Sequence, residues 1–378
     1  MSQIPLQRHR FAIPRDIHYL NCASMSPIAD TVRDAIAAGA ARKEQPWAYK
    51  PAEFFTYSED FRGRAAKVIG GDANSIAIIP SVSYGMAVAA RNLPLNAGQS
   101  IVVLGDQFPS NVYIWRERAL ETGAKVVTVQ RDLSAAWTDA VLDAIGPKTA
   151  IVAVPHCHWA DGRMVDLVAV GKACRAVGAA LVLDLTQSLG VLPFNVTQVQ
   201  PDFAIAACYK WLMGPYSMGL LYVAPKYHDG HPIEHSWINR AGSEDFTRLA
   251  DYRDDFQPGS RRFDMGEKSN PPLLAGASAA IDMLIEWGID SIAETLAAKT
   301  EKIAAAAKAI GLDAAPIGVR APHFLSLGFP GQVPDDLTDR LAASNVFASL
   351  RGTSLRVTPH LYNDDLDAEM LLEVLRQC

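Results

Sequence analysis

Cysteine is scarce in this chain: five in 378 residues, at positions 22, 157, 174, 208 and 378. The count is odd and no two are spaced C-x-x-C, so neither a disulfide framework nor a zinc site is expected. Such usage fits a reducing cytoplasm. Glycine-rich nucleotide signatures are missing too. There is no G-x-G-x-x-G and no Walker sequence, which counts against a nucleotide-dependent dehydrogenase on a similar sheet. Basic charge is not in excess: 35 Lys and Arg face 41 Asp and Glu, for a net charge of −6 and a pI near 5.9. Nucleic-acid and anionic-membrane partners would want a basic face. The longest apolar stretch, near Leu273 to Ile285, is interrupted by Asp282 and is too short to span a bilayer. The first ten residues lack the apolar segment of a signal peptide.

What is present is ordinary for a globular protein, with 49% hydrophobic and 20% charged residues. A chain of this length exceeds the size at which one core usually stops growing, so two domains are expected. Continuous apolar runs predict strands at 76–80, 100–105, 125–130, 149–155, 180–185, 203–209 and 219–223. Helical spacing falls between or before them, at 28–43, 58–70, 86–91, 112–122, 135–145 and 165–177. Strands that are apolar throughout, rather than alternating, indicate a sheet buried on both faces, hence mostly parallel and helix-covered. The run 219–223 follows its predecessor too closely for a helical crossover and is expected antiparallel. Residues 226–266 read as a functional loop, rich in charge, Pro and Gly. After about residue 270 the pattern turns helix-rich, with a break near Gly288. Strands at 323–328 and 354–358 and helices at 336–344 and 366–376 then suggest a smaller α+β domain.

The chemistry centres on two residues 26 positions apart. Asp184 ends one apolar strand and Lys210 follows another. A lysine among Cys208, Tyr209 and Trp211 is partly desolvated, which lowers its pKa and frees a nucleophilic amine. A buried carboxylate expects a cationic partner. Together they suit pyridoxal phosphate (PLP): the amine forms a Schiff base with the aldehyde, and the carboxylate pairs with the pyridine nitrogen. The plainer alternatives are a surface lysine with a buried stem and a strand-end aspartate capping a turn. Gln187 could reach the cofactor's phenolic oxygen. Ser81-Val82-Ser83 lies between a strand and a helix, where N–H groups and hydroxyls suit a phosphate, or where a serine simply caps the helix. Phe108 can stack on a flat ring or belong to the core. His156 and His158 have no third ligand nearby, so no metal is expected. Arg351 and Arg356 suit a substrate carboxylate, or an acid within the fold.

In this order the pieces resemble the class V aminotransferase family of fold-type I PLP enzymes, over nearly the whole chain. Tyr19-Leu20-Asn21-Cys22-Ala23 is similar to the family's N-terminal strand and turn beside the active site, Phe108-Pro109-Ser110-Asn111 to its ring-stacking motif, and Asp184-Leu185-Thr186-Gln187 and Tyr209-Lys210 to its most specific segments. The resemblance implies a large domain at 21–272 with a mostly parallel seven-stranded sheet, a small α+β domain at 273–378, and an N-terminal arm at 1–20 packing with the small domain. It implies cofactor contacts from Ser81, Val82, Ser83, Phe108, Trp159, Asp184, Gln187 and Lys210. It adds a Tyr209 hydrogen bond to the phosphate. Ser269 and Asn270 would reach the neighbouring subunit's phosphate, which implies a homodimer with shared sites. Substrate contacts are implied for Arg356, Arg351, Asn21 and Ala23, with Lys210 and Asp184 catalytic. Residues 345–353, read as the loop before the arginine strand, carry no cysteine, which speaks against a persulfide mechanism. Kynureninases place a histidine where this chain has Gln187. The implied activity is Cα deprotonation of an α-amino acid, leading to transamination or to β-elimination with C–S cleavage. Epimerisation, kynureninase-like hydrolysis and non-catalytic PLP binding are the alternatives.

Overall fold

The computed structural model describes residues 3–130 and 135–377. Met1, Ser2 and Cys378 lie outside the described residues. The strands are β1 (His18–Tyr19), β2 (Ile76–Ile79), β3 (Ser100–Leu104), β4 (Lys125–Val129), β5 (Thr149–Pro155), β6 (Ala180–Asp184), β7 (Phe203–Ala207), β8 (Gly219–Val223), β9 (Leu325–Gly328), β10 (Val346–Phe347), β11 (Ser349–Arg351) and β12 (Ser354–Val357). Seven of them form one sheet in the order β2-β8-β7-β6-β5-β3-β4. Strand β8 runs antiparallel to both β2 and β7, and every other pairing is parallel. Only eleven residues join β7 to β8, too few for a crossover helix.

The central strands are buried on both faces. Every residue of β2, β6, β7 and β8 is removed from solvent. Strand β4 departs from the expectation drawn for all the runs. It pairs only with β3, and Lys125, Val127 and Thr128 are exposed. An edge position leaves one flank without a neighbour, and apolar composition alone cannot reveal that.

Helix starts also differ from the sequence reading. The helix expected from Met86 begins at Val82, because the Ser81 hydroxyl accepts from Tyr84 N–H at 3.2 Å and caps it. The helix expected from Ser58 begins at Glu53. Its first turn is held by Phe54, which packs edge-on against Tyr49 and Phe246. Helix Pro271–Trp287 buries Leu274, Ile281 and Leu284 in the same core as Val32, Phe61 and Ile69. The chain then turns at Gly288 into helix Ile289–Ala309. No single helix among the described residues is long and apolar enough to cross a membrane.

A second, antiparallel sheet has the order β11-β12-β9. Its core joins Leu325, Leu327, Leu355 and Val357 to Leu337, Leu341 and Leu371. The stretch 345–353, read as a loop, holds β10 and β11 instead. Strand β10 forms by pairing in parallel with β1, more than three hundred residues earlier, a contact no local pattern announces. The N-terminal segment is tied down there as well. Gln7 N–H donates to Leu361 O at 2.9 Å, and Arg8 and His18 both engage the buried Asp367 carboxylate. Residues 226–266 contain short 3-10 turns, at Pro225–Tyr227, Trp237–Asn239, Phe246–Arg248 and Gly259–Phe263, and one isolated antiparallel bridge between Arg240 and Phe256.

Candidate active site

The parallel strands deliver their chemistry at their carboxyl ends, where open α/β sheets bind ligands. Strand β6 ends on Asp184. Strand β7 runs on through Cys208 and Tyr209 to Lys210. Strand β3 leads to Phe108, β5 to Trp159, and β2 to Ser81. These converge on one cavity of about 410 Å³. Its lining includes Ser81, Val82 and Ser83 from the start of one helix, Asp184, Gln187 and Lys210 from the carboxyl ends of β6 and β7 or just beyond them, and the aromatic residues Phe108, Trp159 and Tyr209. Nine of the residues expected at a cofactor therefore share a single space.

Lys210 is buried, with its amine 5.2 Å from the centre of the Phe108 ring and 5.5 Å from that of Tyr209. Burial lowers its pKa to about 8, against the pull of Asp184; the Arg356 and Arg351 charges lower it further. Burial raises the Asp184 pKa, while hydrogen bonds from Thr186 and the charge of Lys210 oppose the rise. Thr186 N–H donates to Asp184 Oδ1 at 3.0 Å and so aims the carboxyl. Phe108 and Trp159 meet edge to face at 5.6 Å, and Trp159 Nε1 donates to Asp106 O at 2.7 Å.

The Ser81 end is the N-terminus of helix Val82–Asn92. Its first-turn N–H groups, Val82 and Ser83 among them, have no carbonyl within the helix to bond. The Ser81 and Ser83 hydroxyls lie 3.0 Å apart. The helix is seated closely on β7 at Gly85, where a Cβ would come within 2.8 Å of Ile205 Cγ1. Only glycine permits that approach.

Gln187 lines the cavity, but its amide is already engaged. Nε2 donates to Ala23 O at 3.1 Å, and Oε1 accepts from Trp211 Nε1 at 2.8 Å. Arg356, Asn21, Ala23 and Arg351 are not among the cavity's lining residues and form an adjoining layer. Arg356 Nη1 donates to Trp159 O at 3.0 Å and Nη2 to Asn21 Oδ1 at 3.3 Å. Ala23 is fully buried, its N–H bonded to Thr358 Oγ1 at 3.1 Å. Ser269 and Asn270 are also outside the lining; Asn270 caps helix Pro271–Trp287 through Leu273 N–H.

Several lining residues were not singled out from the sequence: Gln107, Ser110, Cys157, Thr186, Tyr216 and Ser217. Ser110 and Thr186 lie inside the segments Phe108–Asn111 and Asp184–Gln187 and are legible from them. Tyr216 and Ser217 lie in the irregular turn before β8, where nothing local marks them. The Cys157 thiol is pushed well above its usual pKa by burial, and that of Cys22 up to about 12. Neither suits a thiolate nucleophile.

The donor set fits PLP. An amine of lowered pKa, a buried carboxyl wanting a cation, an aromatic face and a helix N-terminus with two hydroxyls occupy one cavity, and they match the aldehyde, ring nitrogen, ring and phosphate in turn.

Comparison with known proteins agrees. Residues 40–354 match the family model described as aminotransferase class-V. The chain is 26% identical over 312 residues to the uncharacterized aminotransferase YcbU of Bacillus subtilis (strain 168), covering 81% of this chain and 80% of that one. It is 26% identical over 237 residues to isopenicillin N epimerase of Streptomyces clavuligerus, covering 61% and 59%. Among solved structures, the cystine C–S lyase C-DES in complex with its product cysteine persulfide superposes with a TM-score of 0.86 at 18% identity, covering 96% and 98%. That likeness carries the fold. With the family match spanning most of the sequence, the chain belongs to the class-V aminotransferase family of PLP-dependent enzymes.

Proposed function

We propose that this enzyme removes the Cα proton of an α-amino acid and carries the product to transamination or to loss of a β-substituent. Lys210 tethers the cofactor and Asp184 faces its ring nitrogen. Ser81, Ser83, the Val82 N–H and Tyr209 hold the phosphate, and Phe108 and Trp159 flank the ring. Gln187 presents its remaining N–H. Bound there, PLP supplies a ring that accepts the electron pair left at Cα.

The chain's own groups do the rest. Arg356 orients the substrate carboxylate, with Asn21 fixing the guanidinium. Freed by the substrate, the Lys210 amine takes the Cα proton as general base. Desolvation puts its pKa near 8, so the neutral form is accessible close to neutral pH. Asp184 stays ionised against a cation, since a positive partner offsets its burial. A persulfide carried on the enzyme's own cysteine is not favoured: residues 345–353 lack cysteine, and the thiols near the cavity are buried and of raised pKa.

Two copies sharing sites fit the position of Ser269 and Asn270, which lie outside their own chain's cavity and would meet the partner's phosphate. Four buried thiols without a disulfide among the described residues suit the cytoplasm.

One observation carries this reading: a lysine of lowered pKa and a buried aspartate in a single cavity. Borohydride reduction of the PLP-loaded protein, followed by peptide mass mapping, tests it. The pyridoxyl adduct is expected on Lys210; an adduct on any other lysine removes the assignment.

A further inference from the structure

Two arginines lie beside the cavity on one face of the small sheet. In the β11–β12 hairpin Ser349 pairs with Arg356 and Arg351 pairs with Ser354. Directly opposed residues share a face, as do residues two apart, so Arg351 and Arg356 lie on the same face. Both converge on Trp159, which lines the cavity. The Arg351 guanidinium carbon lies 5.5 Å from the centre of its ring, and Arg356 donates to its carbonyl.

Neither arginine has a carboxylate partner among the described residues. Arg351 Nη1 donates only to the neighbouring Leu350 O at 2.7 Å, and its Nε is buried without an acceptor. Arg356 donates only to neutral oxygens, and its Nε is likewise buried and unpartnered. The like charges act on each other and on the site. Burial lowers the Arg356 pKa to about 10, with Arg351 as the next cause. Gathering two cations without an acid is unfavourable in a partly buried space unless a ligand supplies the negative charge. One α-carboxylate satisfies one of them.

We infer that Arg351 recognises a second acidic group, so that the substrate is an α-amino acid with an anionic side chain, a carboxylate or a sulfinate. The inference rests on the proposed activity, with Arg356 taking the α-carboxylate. Arg351 is half-buried at the base of an exposed hairpin tip, Gly352-Thr353, and its fork suits bidentate oxyanion pairing. The bland alternative is that Arg351 serves only to stack on Trp159. Stacking uses the guanidinium face and leaves the in-plane N–H groups unbonded. It gives no reason to prefer an acid over its amide.

The test uses the PLP-loaded enzyme and the visible absorbance of its cofactor. L-aspartate, L-glutamate and L-cysteine sulfinate are titrated beside L-asparagine, L-glutamine and L-alanine. A charge-assisted pair predicts an acid bound about tenfold or more tighter than its neutral counterpart. The sulfinate arm separates the two sources of negative charge. Arg351→Gln should bring the ratio of acid to amide affinity to about 1, and Arg351→Lys should keep part of it. Equal binding of acids and amides by the wild-type enzyme overturns the inference without any variant, as does an undiminished preference in Arg351→Gln. If no amino acid perturbs the cofactor band, the α-amino acid activity itself fails, and this inference with it.

Discussion

The Lys210 amine sits 5.2 Å from the centre of the Phe108 ring, at the end of a buried strand beside Asp184. The contact places a cation against an aromatic face with little water to solvate it. Burial away from water lowers its pKa to about 8. For a lysine lowered in the folded state, folding carries a cost below about pH 8, where both states are protonated. The cost is relieved as pH rises from there toward the unfolded value near 10.5. Replacing Lys210 with Met should therefore raise the melting temperature of the cofactor-free protein at pH 7 by about 2 °C or more. The gain should shrink at pH 10. Thermal scans at the two pH values check it, and a fall in melting temperature at pH 7 would contradict the picture.

The same amine must be neutral to attack an aldehyde. The rate at which cofactor-free protein takes up PLP should rise with pH through about 8 and then level off. Asp184 raises the Lys210 pKa, so Asp184→Asn should move that midpoint downward. Turnover in Asp184→Asn should fall by roughly 10²-fold or more, as for loss of one preorganised electrostatic partner. Stopped-flow absorbance and steady-state assays measure the two effects.

Gly85 seats the helix whose start lines the cavity. Gly85→Val would drive side-chain atoms into Ile205, already 2.8 Å from a bare Cβ. The helix must shift, at a cost of about 1–3 kcal/mol in stability. The expected signature is weakened PLP affinity beyond that of a surface control, read by equilibrium dialysis.

Asp264 is fully buried, bonded by Arg62 and by Lys268 Nζ at 2.8 Å, and accepts Ile78 N–H at 2.8 Å. It pins the segment carrying Ser269 and Asn270 to β2. Asp264→Ala leaves the buried Lys268 without its carboxylate and Arg62 with Glu59 alone, and should destabilise the protein by about 3–5 kcal/mol. Urea unfolding measures this.

His323 and His360 are buried and held at a pKa of about 3 by desolvation. Near pH 7 both are neutral, folded or unfolded. Below about 6.5 the unfolded chain binds protons that the folded one refuses, so stability should fall steadily as pH drops from 6.5 toward 3. Neither ring nitrogen of His360 has a hydrogen-bond partner among the described residues. His360→Leu should flatten the dependence, measured as the urea midpoint at pH 7.5 against pH 5.

The sequence by itself determined the seven strand runs of the main sheet, the antiparallel β8, and Asp184 and Lys210 as residues of one cavity. These are local facts. An apolar run favours burial, and a buried polar residue at its end must meet a partner or a ligand. Ser81 and Phe108 were legible for the same reason, each a short step past the end of an apolar strand. Only the tertiary structure decided that β4 is an edge, and that residues 345–353 fold into β10 and β11. It alone showed that the Gln187 amide is held by Ala23 and Trp211, that Tyr216 and Ser217 complete the cavity, and that Arg351 and Arg356 share a face over Trp159. Each depends on a partner far away in the chain, and a contact energy between distant residues leaves no mark on the composition of either segment alone.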